Sequence, residues 1–391
     1  MATSVQGNAV SYWAVEATGT PVTPVWTNLR RTAGDIDLTK SFTQSEEVDT
    51  TRQPGYNIIT GSEISGNVDR ELSVADPSLL LLARSALQNN VGGNVSANGS
   101  ATFTNGTAQI TLTGAFANAV AGQYVGVFNS VSNNRIFKIV SVTDNDNVVV
   151  TPAPVTEGPV ICDIVGQSVR NSNSEVHLAV QKRIPTDSGT IYKTFEDCQI
   201  STMDLSITSG SIVTMSFGVT GLTKVAADTQ IAGSTDNAVD GSRVSGTVKD
   251  VIEFFVDGAP QTPDTVCYTD YTLSLDNGAT SNPAIGKEGA CSISFGAANV
   301  TGTLVSYVDG TNTTTAQSEV VKRDNETLFD LGVVLKDVDG NYLVVSTPST
   351  QYTELSQADT ANGDVLKNNG TIAATGKPNG YAVEFNFIAA P

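Results

Sequence analysis

A set of β-type segments that occurs twice along the chain, the first time interrupted by an added stretch, limits the possible folds more than any other feature. The first copy begins with the alternating run Ile64-Ser65-Gly66-Asn67-Val68-Asp69-Arg70-Glu71-Leu72. A helix-compatible run at 76–87 follows, then a hairpin pair at 177–183 and 190–195 joined through Pro185, Asp187 and Gly189. Closing strands at 203–208 and 212–220 complete it. In the second copy, Val300-Thr301-Gly302-Thr303-Leu304-Val305-Ser306-Tyr307 takes the place of the first run. A polar, helix-compatible stretch at 315–326 comes next, then the pair 331–336 and 342–346 joined by Asp339-Gly340-Asn341, then a closing strand at 381–388. Side chains on a strand alternate with a period of two, so both copies predict half-buried sheets with apolar positions turned to a core. A chain that repeats such a unit points to architecture before catalysis.

Composition agrees. Of 391 residues, 39% are hydrophobic and only 16% charged. That balance, rich in Thr, Ser, Asn, Val and Gly, suits strands and tight turns, since exposed helix faces need more Glu, Lys and Arg. The expected fold class is mainly β: two similar β-sandwich or barrel units with one short helix each, plus a small inserted β domain. The expected boundaries are an N-terminal arm at 1–25, a first unit at 26–90 and 168–225, the insertion at 91–167, and a second unit at 226–391. The insertion announces itself by a composition shift at Asn89-Asn90-Val91-Gly92-Gly93 and by β runs at 108–113, 124–128, 136–142 and 147–151. Extra length in a surface loop costs little, and the second copy lacks it. Residues 40–59 show no clear period and are expected to form a long contact loop that includes Glu46, Glu47, Arg52 and Tyr56.

The net charge of −19 argues against affinity for nucleic acid through phosphate contacts, which requires Lys and Arg to displace counterions. Cys162, Cys198, Cys267 and Cys291 have no C-x-x-C spacing, so neither a zinc site nor a redox motif is supported. His177 is the only histidine, which leaves no Ser-His-Asp or Cys-His arrangement to build. Asp337 to Asn341 faintly resembles a calcium loop, but its glycine comes too early, and a hairpin turn explains it. Glu46 and Glu47 are adjacent and would face opposite sides of a strand. No enzyme and no cofactor are therefore expected. No apolar run approaches the ~20 residues of a membrane span. The first ten residues lack a basic start followed by an apolar stretch, so synthesis and retention in the cytoplasm are expected. On the wet faces of the strands, Asp69, Glu71, Asp204 and Glu384 alternate with apolar neighbours.

Several stretches carry a family pattern. The first copy holds Trp26-Thr27-Asn28-Leu29-Arg30-Arg31-Thr32-Ala33-Gly34-Asp35-Ile36, Ser45-Glu46-Glu47-Val48, Arg52-Gln53 and Ser65-Gly66-Asn67-Val68-Asp69-Arg70-Glu71-Leu72-Ser73 before a Leu-rich helix. Phe195-Glu196-Asp197-Cys198, Met203-Asp204-Leu205-Ser206-Ile207 and Ile212-Val213-Thr214-Met215-Ser216-Phe217 close it. Leu273-Ser274-Leu275-Asp276-Asn277-Gly278 and Val300-Thr301-Gly302-Thr303-Leu304 carry the second. In this order they resemble the major tail tube proteins of long-tailed, non-contractile bacteriophages, over most of the chain outside 90–167. Ala33, where glycine is commoner, and the inserted segment depart from the pattern.

The resemblance implies β-sandwiches whose strands join those of neighbours into a barrel around a pore, with rings stacked into a conduit for the genome. Relatives with one unit form six-membered rings, so two units imply a trimeric, pseudo-six-fold ring, with a hexamer as the alternative. Implied partners are other copies of the chain, the tape measure, tail terminator and tail tip proteins, and double-stranded DNA that passes without specific binding. No membrane insertion is implied; assembly would occur in the host cytoplasm and residence in the virion tail. An acidic wall would repel the duplex, which makes Asp69, Glu71, Asp204 and Glu384 the expected lumen residues. The arm and Glu46, Glu47, Arg52 and Tyr56 are expected ring-to-ring contacts, and the insertion is expected to face outward. The alternatives are a tandem β-domain surface adhesin or tail decoration protein and, more remotely, a β-rich hydrolase.

Overall fold

Period-two alternation resolves into two layers in each copy, with one long strand crossing between them. The computed structural model describes residues 9–46, 55–89, 93–226, 228–239, 241, 251–261, 267–308, 313–357, 365–377 and 379–391. In the first copy, Gly189–Thr208 pairs through its first half with Leu178–Thr186 and through its second half with Thr214–Gly221. Thr214–Gly221 pairs in turn with Asn57–Glu71. The second copy repeats this order. Tyr342–Ser356 pairs first with Phe329–Lys336 and then with Lys367–Ala374, which pairs with Asn299–Tyr307. The irregularities correspond as well. Each long strand bulges as it changes partner, between Ile200 and Thr202 and between Tyr352 and Glu354. A second matched pair of bulges falls at Leu178/Val180 and Phe329/Leu331. Bulges bend and twist a strand, which is how one strand serves two layers.

The two copies share one more device. A Cβ on Gly66 would stand 2.5 Å from Ile36 Cα, and one on Gly302 would stand 2.1 Å from the Thr272 carbonyl oxygen. These glycines hold equivalent places in their strands and admit the backbone of the preceding strand. The helices are anchored differently. Pro77–Ala86 is capped by Asp76, which accepts from Ser78 N at 2.9 Å, and buried Arg70 bonds both Asp76 and Ser78. At the position equivalent to Arg70, Ser306 instead donates to Glu319 of the helix Thr313–Asp324, beside a 2.7 Å bond from Asn368. Burial pushes the Glu319 carboxyl above its ordinary range, against the pull of these two bonds.

The copies are fused at a sheet edge. The second half of Gly189–Thr208 pairs along its other side with Tyr268–Asp276, which pairs with Asn299–Tyr307. One sheet therefore passes through both units, and one apolar core runs beneath it, from Tyr12 and Val68 to Leu343 and Phe385. The insertion has a core of its own around Phe103, Phe116, Phe137 and Ile164. Its short strands Tyr124–Phe128, Ile136–Val142 and Asn147–Thr151 lie where the sequence indicated. The two longest, Asn94–Thr104 and Glu157–Arg170, are rich in polar residues, which weakens their strand signal in the sequence. The insertion leaves the first unit covalently but packs on the second. Residues 167–170 pair with 384–387, Tyr124 N donates to Asn386 Oδ1 at 3.0 Å, and Tyr124 and Ile136 pack with Phe255, Val334, Val344 and Ile388.

Three sequence expectations need correction. Ser11–Glu16 is not part of a free arm: it is a strand between Leu178–Thr186 and Val25–Leu29, because Tyr12, Trp13 and Ala14 supply a run that the core buries. Residues 1–8 lie outside the described residues. The stretch 40–59 is largely a hairpin, Asp37–Gln44 with Asn57–Glu71, although both of its strands expose apolar side chains; Glu47 and Arg52 lie outside the described residues. The strand that closes the second copy is Lys367–Ala374, whose Lys-Asn-Asn-Gly start hid it, while Glu384–Ile388 belongs to the other layer.

Ala at Gly302 must displace the Thr272 carbonyl. It is expected to cost about 1–3 kcal/mol in urea unfolding, the range for overpacking a close contact. Ala at Gly106, which has no neighbour within 4 Å, is the control and is expected to change stability by less than about 0.5 kcal/mol.

Candidate functional site: the uncovered face of the shared sheet

Backbone pairing aligns side chains of successive strands in rows, and the shared sheet carries two long rows on the face turned away from the core. One runs Glu71, Thr214, Ser206, Thr272, Thr303, Thr371 and Glu354, a carboxylate at each end with five hydroxyls between. The next runs Asp69, Ser216, Asp204, Ser274, Thr301 and Ala373. None of these side chains is buried, whereas their neighbours on the other face, such as Val68, Phe217, Met203, Leu273 and Leu304, are. Hydroxyls bond laterally without adding charge. Ser216 Oγ donates to Asp69 at 2.5 Å, and the Thr272 and Thr303 hydroxyls lie 2.8 Å apart. Asn67 Nδ2 also donates to Asp69, at 2.7 Å.

The same face holds Asp270, and Asp276 at the far end of that strand. Lys367 is a cation on it, and its ammonium sits 5.3 Å from the Tyr307 ring. The face is thus a hydroxyl carpet with carboxylates and little positive charge. Such a surface forms weak, exchangeable hydrogen bonds with water and repels a polyanion over about 10 Å at 0.1 M salt.

Three of the four acidic residues expected from sequence, Asp69, Glu71 and Asp204, come together on this face. Glu384 does not. It is fully buried, bonded to Ser168 and ion-paired to Arg170 at 3.0 Å. The reason is topological: its strand lies between Tyr342–Ser356 and Glu157–Arg170, so the insertion covers the face that alternation leaves wet. Asp270 and Asp276 were missed, although they alternate with Tyr271, Leu273 and Leu275 and were legible by the same rule. Glu354 follows a bulge that breaks alternation, so no periodicity marks it.

Beside this face the first hairpin exposes Phe42, Tyr56, Ile58 and Ile59, with Glu46 exposed at its outer end. The equivalent hairpin of the second unit, Thr280–Pro283 with Ala290–Ser294, leans back on the first: Glu288 O accepts from Ser62 N at 2.8 Å, and its carboxylate pairs with Lys40 at 2.7 Å. At the base of the first hairpin, Asp37 joins the layers through Lys182 at 3.0 Å and Lys193 at 3.2 Å. Burial works against its charge but is outweighed by the bonds from Lys182, the Leu38 N–H and Lys193, which hold the carboxyl below its ordinary range.

The model of one protein family, described as phage tail tube protein, matches residues 7–389. No curated protein matches the chain.

A carboxyl held below its ordinary value of 3.8 stabilises the fold above that pH and loses the contribution as pH falls further. Asp37→Asn is therefore expected to lower the melting temperature at pH 7 by an amount equivalent to about 1 kcal/mol or less, given its partial exposure. The gap from wild type is expected to narrow steadily below pH 3.8 in thermal melts across a pH series.

Proposed function

Since the chain belongs to the phage tail tube protein family, a structural family of the virion tail, we propose that it forms closed rings whose uncovered sheet faces line the bore of the tail tube. One observation carries the reading. The junction between Gly189–Thr208 and Tyr268–Asp276 joins unlike edges of two like units, head to tail. Head-to-tail contacts between equivalent units close into a ring when the rotation per unit divides a full turn. With the six units per ring that the family resemblance implies, two units per chain give a trimeric ring of pseudo-six-fold symmetry.

The chemistry of the face suits a conduit. Every Lys or Arg that reaches a phosphate adds to DNA binding, and a stack of rings would multiply the effect until the duplex could not leave. Asp69, Glu71 and Asp204 repel the phosphates, while Thr and Ser present hydroxyls that water can bridge. The insertion lies on the opposite layer, against Glu384–Ile388, so it projects away from the bore. The exposed hairpin with Glu46 and Tyr56 serves contacts between rings. Copies of the chain are the main partners, the tape measure, terminator and tip proteins meet the ends of the stack, and double-stranded DNA passes through. The role is architectural rather than enzymatic, with assembly in the host cytoplasm.

Native mass spectrometry of isolated rings is expected to count three chains; six would overturn the trimer. Asp69→Lys with Glu71→Lys is expected to leave hollow tubes intact in electron micrographs while slowing DNA release about tenfold or more at low salt, the difference shrinking as salt rises. Unchanged release would remove these residues from the lumen.

A further inference from the structure

The seam inside the chain predicts the seam between chains. Among the described residues, two strands of the shared sheet have one long side without a strand partner. Asp37–Gln44 pairs only with Asn57–Glu71, and residues 351–356 pair only with Lys367–Ala374. They are the equivalents of the two strands that meet at the internal junction. The matched bulges align Thr202, Met203 and Asp204 with Glu354, Leu355 and Ser356. The glycines Gly66 and Gly302, with their neighbours, align Ile36, Asp37, Leu38 and Thr39 with Leu273, Ser274, Leu275 and Asp276.

We infer that the 351–356 edge of one copy pairs antiparallel with Asp37–Gln44 of a second copy, with Glu354 opposite Thr39, Leu355 opposite Leu38 and Ser356 opposite Asp37. The inference rests on the ring reading above and adds the interface and its register. The side chains support this register over its neighbours. Within the chain, Met203 faces Leu275 in the core while Thr202 faces Asp276 and Asp204 faces Ser274. Between copies, Leu355 faces Leu38 and Glu354 faces Thr39, which again sets a carboxylate against a hydroxyl with the two partners exchanged, while the Asp37 carboxylate opposite Ser356 stays turned to Lys182 and Lys193. A slip of two residues one way sets Leu355 against Lys40, an ammonium that pairs with Glu288 at 2.7 Å. A slip of two the other way takes Glu354 from the Thr39 hydroxyl to Asp37, a like charge already held by Lys182 and Lys193, and sets Leu355 beside Ile36, which the core of its own chain buries fully. A slip of one turns every side chain to the wrong face.

Both edges are built to be covered. Asp37–Gln44 carries Phe42, 58% exposed, on an open strand edge, a combination that single soluble chains avoid. At the other edge Arg323 Nη1 donates to the Leu355 carbonyl at 2.7 Å. A carbonyl oxygen has two lone pairs, so this bond leaves an acceptor for the incoming strand.

The test is a cysteine pair, Thr39→Cys with Glu354→Cys, in full-length protein with Cys267→Ser and Cys291→Ser, the native thiols that are not buried. Directly opposed residues bring Cα atoms to about 4.5–5.5 Å, within disulfide reach, whereas Ser41→Cys with Glu354→Cys would sit about 8 Å apart, beyond it. Mild oxidation of assembled tubes is expected to give linked dimers and trimers on a non-reducing gel, at least tenfold more for the 39/354 pair than for the 41/354 pair or for either single variant. Intact tubes without the 39/354 link, or with preferential 41/354 linkage, would overturn the register while leaving the ring reading standing. Wild-type protein that stays monomeric at high concentration would overturn both. Amide exchange on unmodified protein removes any dependence on the variants: 37–44 and 351–356 are expected to exchange at least tenfold more slowly in tubes than in dissociated chains. Equal rates in the two would sink the proposal.

Discussion

The antiparallel seam between 202–208 and 270–276 is the constraint on which the rest of the molecule depends. Without it the chain would be two sandwiches on a linker, each with an open sheet edge. With it, the backbone groups of one edge satisfy those of the other, and the cores beneath merge into one. The seam also fixes the rotation between units, because a twisted sheet allows little freedom between adjacent strands. A contact that joins unlike edges leaves unlike edges free at its ends, so the geometry that builds one chain also describes how the next is added.

The two copies share a frame and differ in their fittings. Glycines at 66 and 302, bulges at 200/202 and 352/354, and the crossing strand are common to both. These are backbone requirements, and sequence drift cannot remove them without changing the path of the chain. The helix anchors are side-chain solutions and have diverged: Arg70 with Asp76 in one copy, Glu319 with Ser306 and Asn368 in the other. The insertion adds an asymmetric device. It leaves the first unit by chain connection and grips the second through residues 167–170, Tyr124, and the Lys138–Asp330 pair, so it spans the two units from the layer opposite the uncovered face.

Charge follows the same division. Carboxylates that must be neutralised lie between layers or under the insertion, where Asp37, Asp76 and Glu384 each meet a cation. On the uncovered face the carboxylates meet hydroxyls instead, and their charge is left to act outward. A net charge of −19 thus shapes the field of a surface.

Alternation made much of this legible. The runs at 64–72 and 203–208 declared their wet and buried faces because each strand has one of each, and the order of elements declared the repeat. The helix at 77–86 was legible from its Asp-Pro start and its leucines. Other features left no local mark. Lys367–Ala374 has little strand propensity and exists because two neighbouring strands supply its hydrogen bonds. Glu384 reads as a surface residue until a segment more than 200 positions earlier, Ser168, is found against it. By itself, then, the sequence determined the β class, the duplication and which side of most strands faces a core, since these follow from the two-residue period of a strand. Tertiary structure alone decided which strands adjoin, where the insertion docks and which acidic residues stay in water, because pairing and covering are settled by distant segments that no local period encodes.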